Sequence, residues 1–343
     1  MRKLNLKMGA TIMTVAMVVT MLVACKNPKM DYVYDVYVAG FELDGESYVA
    51  KYWKNGEPVV ITDGSENASA HSIFVDGNDV YVAGYELEGT KKIAKYWKNG
   101  KPVVLAPSSE DVSVLSIYVS GGDVYVAGYG YENKGGKRVA KCWKNGELIE
   151  LTKGNLDSFA YSVFVSGSDV YVAGYEVNEK NDVAKYWKNG ESVPIAENAR
   201  AYSVFVSGSD VYTAGYDYSG NSSVAKYWKN NEAIALTNDS VNAIAYSVFV
   251  AGSDVYTAGW GNSDTTETIA KYWKNQEVVN LTDGSKASRA LSVFVIDNDV
   301  YVAGFEGDSA KCWKNNQVVN LKKSSAISGA ASVYVVKREA VIK

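Results

Sequence analysis

The sequence predicts an all-β protein, a seven-bladed β-propeller of four-stranded antiparallel blades whose ring is closed by the C-terminal strand. Three observations lead to this fold: a seven-fold repeat, four strand segments in each copy, and a phase offset between the two chain ends. The repeat places a tryptophan inside a Lys-x-Trp-Lys-Asn unit at positions 53, 97, 143, 187, 228, 273 and 313. Repeat lengths of 40 to 46 residues are typical of propeller blades and of solenoid arrays.

Each copy contains four strand segments and no helical pattern. In the fourth copy, apolar segments fall within Tyr161–Tyr175 and Val183–Ile195, separated by Ser-Gly-Ser-Asp and Lys-Asn-Gly-Glu turns. Gly and Asn tolerate positive φ, so these turns connect neighbouring antiparallel strands. Helical solenoids require apolar residues every three or four positions, which the repeats lack. Four-stranded sheets bury both faces best when they pack around an axis, as in a propeller.

The two ends of the chain are out of phase with the repeat. The first copy begins at Asp35 without the usual preceding strand, and an isolated first strand appears at Ser332–Val335 after the seventh tryptophan. Pairing of these segments would complete the N-terminal blade, giving seven complete blades, and remove an exposed sheet edge. An alternative remains at the C-terminus, where residues 339–343 align weakly with a second strand and would compete for this pairing.

The first residues have the features of an export signal. Three cationic residues precede an apolar run of about 15 residues, which is shorter than a membrane-spanning helix requires. The run ends in Leu22-Val-Ala-Cys25, which resembles the lipobox of bacterial lipoproteins. This resemblance implies cleavage before Cys25 and a membrane anchor through lipid on its sulfur. The predicted organisation is a signal peptide over 1–24, a lipidated tether over 25–34, and one propeller domain over 35–343.

The net charge and the histidine and cysteine content argue against several classes of function. Removal of residues 1–24 changes the formal charge from −4 to −7, which disfavours a nucleic acid partner. The chain has one histidine, His71, and no Cys-x-x-Cys motif, so we expect no transition-metal centre and no cofactor. Cys142 and Cys312 fall in blades three and seven, which are not neighbours, so we expect two buried free thiols in a monomeric protein.

The repeat itself carries a family resemblance. Its Ala-x-x-Trp-x-Asn-Gly core, followed by an apolar pair and Leu-Thr, resembles the HAF-type extracellular repeats of bacterial proteins over nearly all of the mature chain. It is similar to WD-repeat and kelch propellers in architecture alone. The resemblance implies a propeller and export, and it transfers no catalytic residue to this chain.

Variation among the copies is concentrated on one face of the predicted propeller. The turns between strands one and two and between strands three and four are short and lie on the bottom face. The connections on the top face vary in length and composition, as expected for binding loops on a repeat scaffold and equally for loops under no constraint. The tether would enter from the bottom, with Lys26, Lys29, Lys337, Arg338 and Lys343 facing the membrane.

The candidate ligand residues lie at the top ends of the second strands. Each copy has an aromatic residue there, and in five copies an acidic residue follows, a combination suited to a sugar ring. The candidates are Glu42, Tyr85, Glu86, Tyr131, Glu176, Asp217, Trp260 and Glu306. The alternative interpretation is structural, since an aromatic residue repeated at one blade position commonly packs between blades.

Other repeated residues are interpreted as architecture. Seven aspartates end the bottom turns, where we expect their carboxylates to accept backbone N–H groups and to pair with the repeated lysines, such as Lys51 and Lys54. His71 occupies a position filled elsewhere by leucine or tyrosine and is interpreted as a packing substitution.

Three functions remain open at this stage. The first is a membrane-anchored recognition module of the cell envelope that binds a glycan, peptide or protein on the variable face. The second is a glycan hydrolase or lyase using top-face carboxylates such as Glu86 and Glu176, and the third is a scaffold in envelope assembly. Catalytic residues are not assigned.

Overall fold

The computed structural model describes residues 31–106, 111–131, 136–239, 241–262, 267–323, 325 and 327–340. Their strands form seven four-stranded antiparallel sheets, so the predicted propeller is confirmed. Blade two is representative, with β4 (Ala68–Asp76) innermost, followed outward by β5 (Asp79–Glu88), β6 (Lys91–Lys98) and β7 (Lys101–Val104). None of the described residues forms a helix that could cross a membrane.

Blades three to seven repeat this arrangement, each from one continuous segment. Their strands, in blade order, are β8 (Val112–Ser120), β9 (Asp123–Tyr131), β10 (Arg138–Lys144) and β11 (Glu147–Glu150); β12 (Asp157–Ser166), β13 (Asp169–Val177), β14 (Asp182–Lys188) and β15 (Glu191–Glu197); β16 (Ala199–Ser207), β17 (Asp210–Ser219), β18 (Ser222–Lys229) and β19 (Glu232–Ala235); β20 (Ala243–Ala251), β21 (Asp254–Asn262), β22 (Thr268–Lys274) and β23 (Glu277–Asn280); β24 (Ser288–Ile296), β25 (Asp299–Glu306), β26 (Ser309–Lys314) and β27 (Gln317–Val319).

Blade one is assembled from both ends of the chain, as the phase offset predicts. It contains β1 (Tyr32–Asp44), β2 (Ser47–Lys54) and β3 (Glu57–Val60), with β28 (Ser328–Glu339) as its innermost strand. Residues 337–339 continue β28 instead of starting a second strand, and they pair with the first residues of β1. β1 therefore includes the end of the predicted tether, whereas Cys25 and residues 341–343 lie outside the described residues.

The seven innermost strands are joined by a repeated side-chain hydrogen bond. A serine in each strand accepts the N–H that follows the equivalent serine of the next blade, over 3.1 to 3.4 Å around the whole ring. Two residues beyond each serine, an aromatic ring faces the axis. These seven rings touch in sequence with centroids 4.7 to 4.9 Å apart and belong to Phe74, Tyr118, Phe164, Phe205, Phe249, Phe294 and Tyr334. This circle of aromatic side chains lines the axial channel.

The tryptophan of each repeat is buried between its own blade and the preceding one. Trp53 packs against Ala303 and Cys312 of blade seven, and Trp187 packs against Ala127 and Cys142 of blade three. Cys142 and Cys312 are fully buried free thiols, as predicted, and burial raises the pKa of each to about 12.

The bottom face carries one cluster repeated seven times. In blade four, Lys188 Nζ lies 2.8 Å from Asp169 Oδ2, and the Asn189 side chain donates to Asp169 Oδ1 at 2.8 Å. Asn189 has a φ of 52° and its Oδ1 accepts the Val170 N–H, so one side chain secures both bottom turns. The expected pairing of Lys54 with a bottom aspartate is confirmed, since its Nζ lies 3.2 Å from Asp35 Oδ2, although the aspartates accept an asparagine side chain instead of the expected backbone amide.

Blade one adds contacts of its own to the bottom face. Arg338, in the extension of β28, donates to Asp35 Oδ2 at 2.9 Å and to Gly77 and Asn78 of blade two. On the other side, Lys337 pairs with Asp297 of blade seven at 2.5 Å. The closing blade is thus connected by charged side chains to both of its neighbours.

Candidate functional site

The top opening of the channel is formed by a β-bulge that recurs in every innermost strand. The pairing register with the second strand shifts by one residue just before each serine. A bulge re-aims a side chain, and here its residues surround the opening, which we call the mouth. In blade order from one to seven the mouth residues are Ala331, His71, Leu115, Tyr161, Tyr202, Tyr246 and Leu291.

The repeated Ala-Gly of the second strand accommodates this bulge. A Cβ atom at Gly174 would lie 1.8 Å from the Phe159 carbonyl oxygen, and the equivalent glycines are equally close to the innermost strand. A side chain there would push the two strands apart. The glycine is therefore required for the shape of the mouth.

Aromatic side chains fill the mouth on the side of blades three to six. Tyr161 and Tyr202 meet edge to face with ring centroids 4.8 Å apart, and Tyr202 and Tyr246 follow at 5.3 Å. Trp260 donates its Nε1–H to the Tyr246 hydroxyl at 3.1 Å. Burial among these rings raises the pKa of Tyr202 to about 12. These contacts make this side of the mouth a packed aromatic cluster.

The aromatic residues at the top ends of the second strands also lie on this side. A side chain from the innermost strand of the next blade packs against the ring of each of the following three. Phe159 lies 4.9 Å from the Tyr129 ring, the Arg200 guanidinium 4.6 Å from Tyr175, and the Arg289 guanidinium 5.4 Å from Trp260. The covering position is the second or third residue of each innermost strand. From blade one to blade seven it is occupied by Gly329, Ser69, Ser113, Phe159, Arg200, Ile244 and Arg289.

The opposite side of the mouth is open because its residues are small. Ala331 stands where other blades have histidine, tyrosine or leucine, and Gly329 stands where they have a covering side chain. The Phe41 ring lies over Gly329, where a Cβ atom would be 2.6 Å from Cε1. These substitutions leave a cavity of about 520 Å³, here called the mouth cavity, between blades seven, one and two. Ligand sites typically have about this volume (~300–1,000 Å³).

The lining of the mouth cavity is largely apolar and includes several aromatic rings and a few polar groups. Rings come from Phe41 and Tyr48 of blade one, Tyr85 of blade two and Phe305 of blade seven. The polar residues include His71, Ser69 and the exposed Asp308. The Lys92 ammonium lies 4.8 Å from the Tyr85 ring centroid.

His71 has a defined orientation at the cavity. Its Nδ1 lies 2.7 Å from the Val114 carbonyl oxygen, which accepts a hydrogen bond and therefore requires Nδ1 to carry the proton. Burial lowers the pKa of His71, so the ring is neutral at pH 7 and Nε2 is an acceptor. The residue interpreted as a packing substitution thus lines the cavity and adds an acceptor to it.

The acidic candidates from the sequence all form ion pairs within their own blades. Glu42 with Lys51 is fully buried, and the same pairing joins Glu86 with Lys95, Glu176 with Lys185, Asp217 with Lys226 and Glu306 with Lys311. The expectation that Lys51 pairs with a bottom aspartate is wrong, because Lys51 faces the top end of β1 next to Glu42. Each pair connects the second and third strands where they near the top face.

Among the aromatic candidates, Tyr85 alone lines the mouth cavity. Tyr131 lies beneath the Arg138 guanidinium at 5.2 Å, and Trp260 belongs to the filled side of the mouth. The ligand role of these residues remains a prediction. The cavity residues missed by sequence reasoning, Gly329 and Ala331, had a signal: aligned with the other first strands, they are the small residues of the set.

Blade six departs from the ion-pair series. Gly261 replaces the acidic residue, and a Cβ atom at this position would lie 3.4 Å from Lys271 Nζ. Burial lowers the pKa of Lys271, which has no carboxylate partner among the described residues. Within the described ranges, no cluster of metal-ligating side chains is present.

Comparison with known proteins shows the fold and no family. No family model and no curated protein matches the sequence. Among 155 similar solved chains is a puromycin-hydrolyzing peptidase of Mycobacterium tuberculosis, with a TM-score of 0.54 and 10% sequence identity. The match covers 84% of this chain and 53% of the peptidase, so the chain spans about half of that protein's length. At this identity the likeness concerns the propeller fold alone.

Proposed function

We propose that this protein is an exported, membrane-anchored recognition module that binds its ligand in the mouth cavity. The observation that carries the proposal is the break in seven-fold symmetry at Gly329 and Ala331, which opens a cavity in an otherwise filled mouth. Six blades have a large residue at the position of Ala331, so the repeat by itself would leave no space there. Binding sites on repeat scaffolds commonly lie where members depart from the consensus.

The anchored orientation is part of the same proposal. β1 begins at Tyr32 on the bottom face, beside the bottom clusters of blade one. A lipid on Cys25 would therefore connect to the face opposite the mouth cavity. Arg338 and Lys337 lie on that bottom face as expected, but both form ion pairs with neighbouring strands, so their contribution to lipid headgroup contacts would be small.

A hydrolase or lyase has less support from the geometry. The carboxylates suggested for it, Glu86 and Glu176, lie in blades two and four, and each forms an ion pair with a lysine. The activity of the structurally similar peptidase belongs to that protein.

The experiment fills the cavity and leaves the rest of the mouth unchanged. Glycan and peptide arrays would be probed with the chain from residue 26 onward, with its Ala331→Tyr variant and with Leu115→Tyr. Leu115 occupies the same bulge position in blade three and does not line the cavity, so Leu115→Tyr controls for an added tyrosine. We expect array signals that Ala331→Tyr abolishes and Leu115→Tyr retains.

Signals that persist in a folded Ala331→Tyr protein would place the binding surface elsewhere and contradict the proposal. Folding of both variants is checked by the far-UV circular dichroism and the unfolding temperature.

A further inference from the structure

Three aromatic rings converge on the mouth cavity without the cover that equivalent rings have elsewhere. The covering positions of Phe305, Phe41 and Tyr85 are held by Gly329, Ser69 and Ser113, the three smallest residues of that series. In blades three, four and six the corresponding aromatic faces are occupied by Phe159, Arg200 and Arg289. The rings that lack a large covering residue from the next blade therefore belong to three consecutive blades around one cavity, and Tyr85 has the Lys92 ammonium of its own blade 4.8 Å from its ring.

The rings favour an occupant with a weakly polarised C–H surface. The face of an aromatic ring carries negative electrostatic potential, so C–H groups with partial positive charge lie against it favourably. The ring C–H groups of a sugar are polarised by their neighbouring oxygens and form such a surface. Phe305 and Phe41 have no polar atom, so their contribution is limited to this kind of contact and to exclusion of water.

The polar groups of the cavity disfavour a purely apolar occupant. His71 Nε2 and the Asp308 carboxylate are acceptors, and an alkyl chain that displaced their water would leave them without a donor. Hydroxyl groups supply donors to both. An uncharged occupant is favoured, because the Asp308 carboxylate and the Lys92 ammonium beside Tyr85 place one charge of each sign at the cavity.

We propose that the mouth cavity binds an uncharged pyranose unit of a glycan, with its C–H face against the uncovered rings and its hydroxyls on His71 and Asp308. This inference rests on the proposed function, since it takes the mouth cavity as the ligand site. The cavity of about 520 Å³ holds a pyranose ring with space for an adjoining unit, and it opens onto the top face, away from the predicted anchor.

The test uses saturation-transfer NMR and titration of the chain from residue 26 onward with uncharged disaccharides: cellobiose, maltose, chitobiose and mannobiose. The uncharged naphthalene dye N-phenyl-1-naphthylamine serves as an apolar probe of the same cavity. We expect at least one disaccharide to bind. Phe305→Ala should weaken that binding by about tenfold or more, Ala331→Tyr should abolish it, and Leu115→Tyr should leave it unchanged.

A second variant separates the sugar contact from the integrity of the cavity. His71→Phe retains an aromatic ring and removes the acceptor, so we expect weaker disaccharide binding and retained or stronger dye binding.

The other outcomes overturn the inference in distinguishable ways. Dye binding that is lost in Ala331→Tyr, with no disaccharide bound, would refute the sugar and leave the proposed cavity site standing. Disaccharide binding that Ala331→Tyr does not change would refute the location. Binding of neither probe would contradict the inference and the proposed function together.

Discussion

Blade one and the six contiguous blades have the same four-stranded arrangement, but their innermost strands differ in the residues at the top and bottom ends. In blade four, the innermost strand brings Phe159 and Tyr161 to the mouth, and its bottom turn is held by residues of that blade alone. In blade one, the equivalent strand brings Gly329 and Ala331 to the mouth, and its bottom end extends into Lys337 and Arg338. The innermost strand of blade one, β28, thus differs from its counterparts at both the top and the bottom face.

This difference indicates how a repeat protein acquires an individual site. The closing strand has no tight turn to form at its lower end, so it can extend and use charged side chains to hold blades seven and two. These added contacts, together with the serine and aromatic rings, hold in place an innermost strand that has no large side chain at its upper end. In blade one, the mouth cavity on the top face therefore occurs together with additional ion pairs on the bottom face.

The largest expected effect comes from a charge placed between blades. Val335 of blade one and Val165 of blade four hold the same strand position, and each lies in the cluster around a buried thiol, Cys312 or Cys142 respectively. Substitution by aspartate buries an unpaired carboxylate and should cost about 3 kcal/mol or more. In the parent both thiols should alkylate slowly at pH 8, because burial raises their pKa values to about 12.

Mass spectrometry after iodoacetamide treatment measures the alkylation rate of each thiol and so shows which contact between blades opens first. We expect Val335→Asp to accelerate labelling of Cys312 first and Val165→Asp to accelerate labelling of Cys142 first. If alkylation of both thiols were accelerated equally in either variant, the ring would unfold as one unit. The contact between blades one and seven would then not open separately from the contact between blades three and four.

An effect of intermediate size on the free energy of unfolding is expected for Trp53 and Trp187, which hold the same position in blades one and four. Trp53 Nε1 donates to the Lys322 carbonyl at 2.8 Å, whereas Trp187 Nε1 is buried and has no hydrogen-bond partner. Replacement by phenylalanine removes the same atoms at both positions but breaks a hydrogen bond only in blade one. Trp53→Phe should therefore lower the free energy of unfolding by about 1 kcal/mol more than Trp187→Phe. Urea unfolding of the two variants provides the measurement, and a larger loss in Trp187→Phe would contradict the prediction.

The smallest effect concerns the bottom aspartates and pH. Hydrogen bonds from Lys188 and Asn189 lower the pKa of Asp169, and at Asp35 hydrogen bonds from Asn55 and Arg338 lower the pKa despite opposing burial. A carboxyl whose folded pKa is below its unfolded value stabilises the protein above about pH 4, and this stabilisation is lost as the pH falls through the folded pKa.

The unfolding temperature should consequently decrease between pH 5 and pH 2. Asp35→Asn should reduce this dependence more than Asp169→Asn, because Arg338 loses its partner as well. Indistinguishable pH profiles of the two variants would show that the Arg338 contact adds nothing to the bottom cluster of blade one.

Local sequence patterns were sufficient to predict the propeller, the number of blades, the closing strand and the two free thiols. Each of these depends on local chemistry repeated at a fixed spacing: positive-φ asparagines in the turns, alternating apolar residues, and tryptophans 40 to 46 residues apart. The strand missing before Asp35 and the extra strand at Ser332 identified the closure because an unpaired blade edge is unfavourable.

The place where a ligand can enter, by contrast, follows from contacts between distant parts of the chain. The acidic candidates and their lysines are nine residues apart in four blades and five apart in blade seven, and they meet across a strand pair, so their mutual neutralisation depends on register. The mouth cavity depends on residues from blades seven, one and two, which are distant in sequence and adjacent only after ring closure. The small residues Gly329 and Ala331 stand out when the first strands are aligned, but only the packed ring shows that they border a cavity.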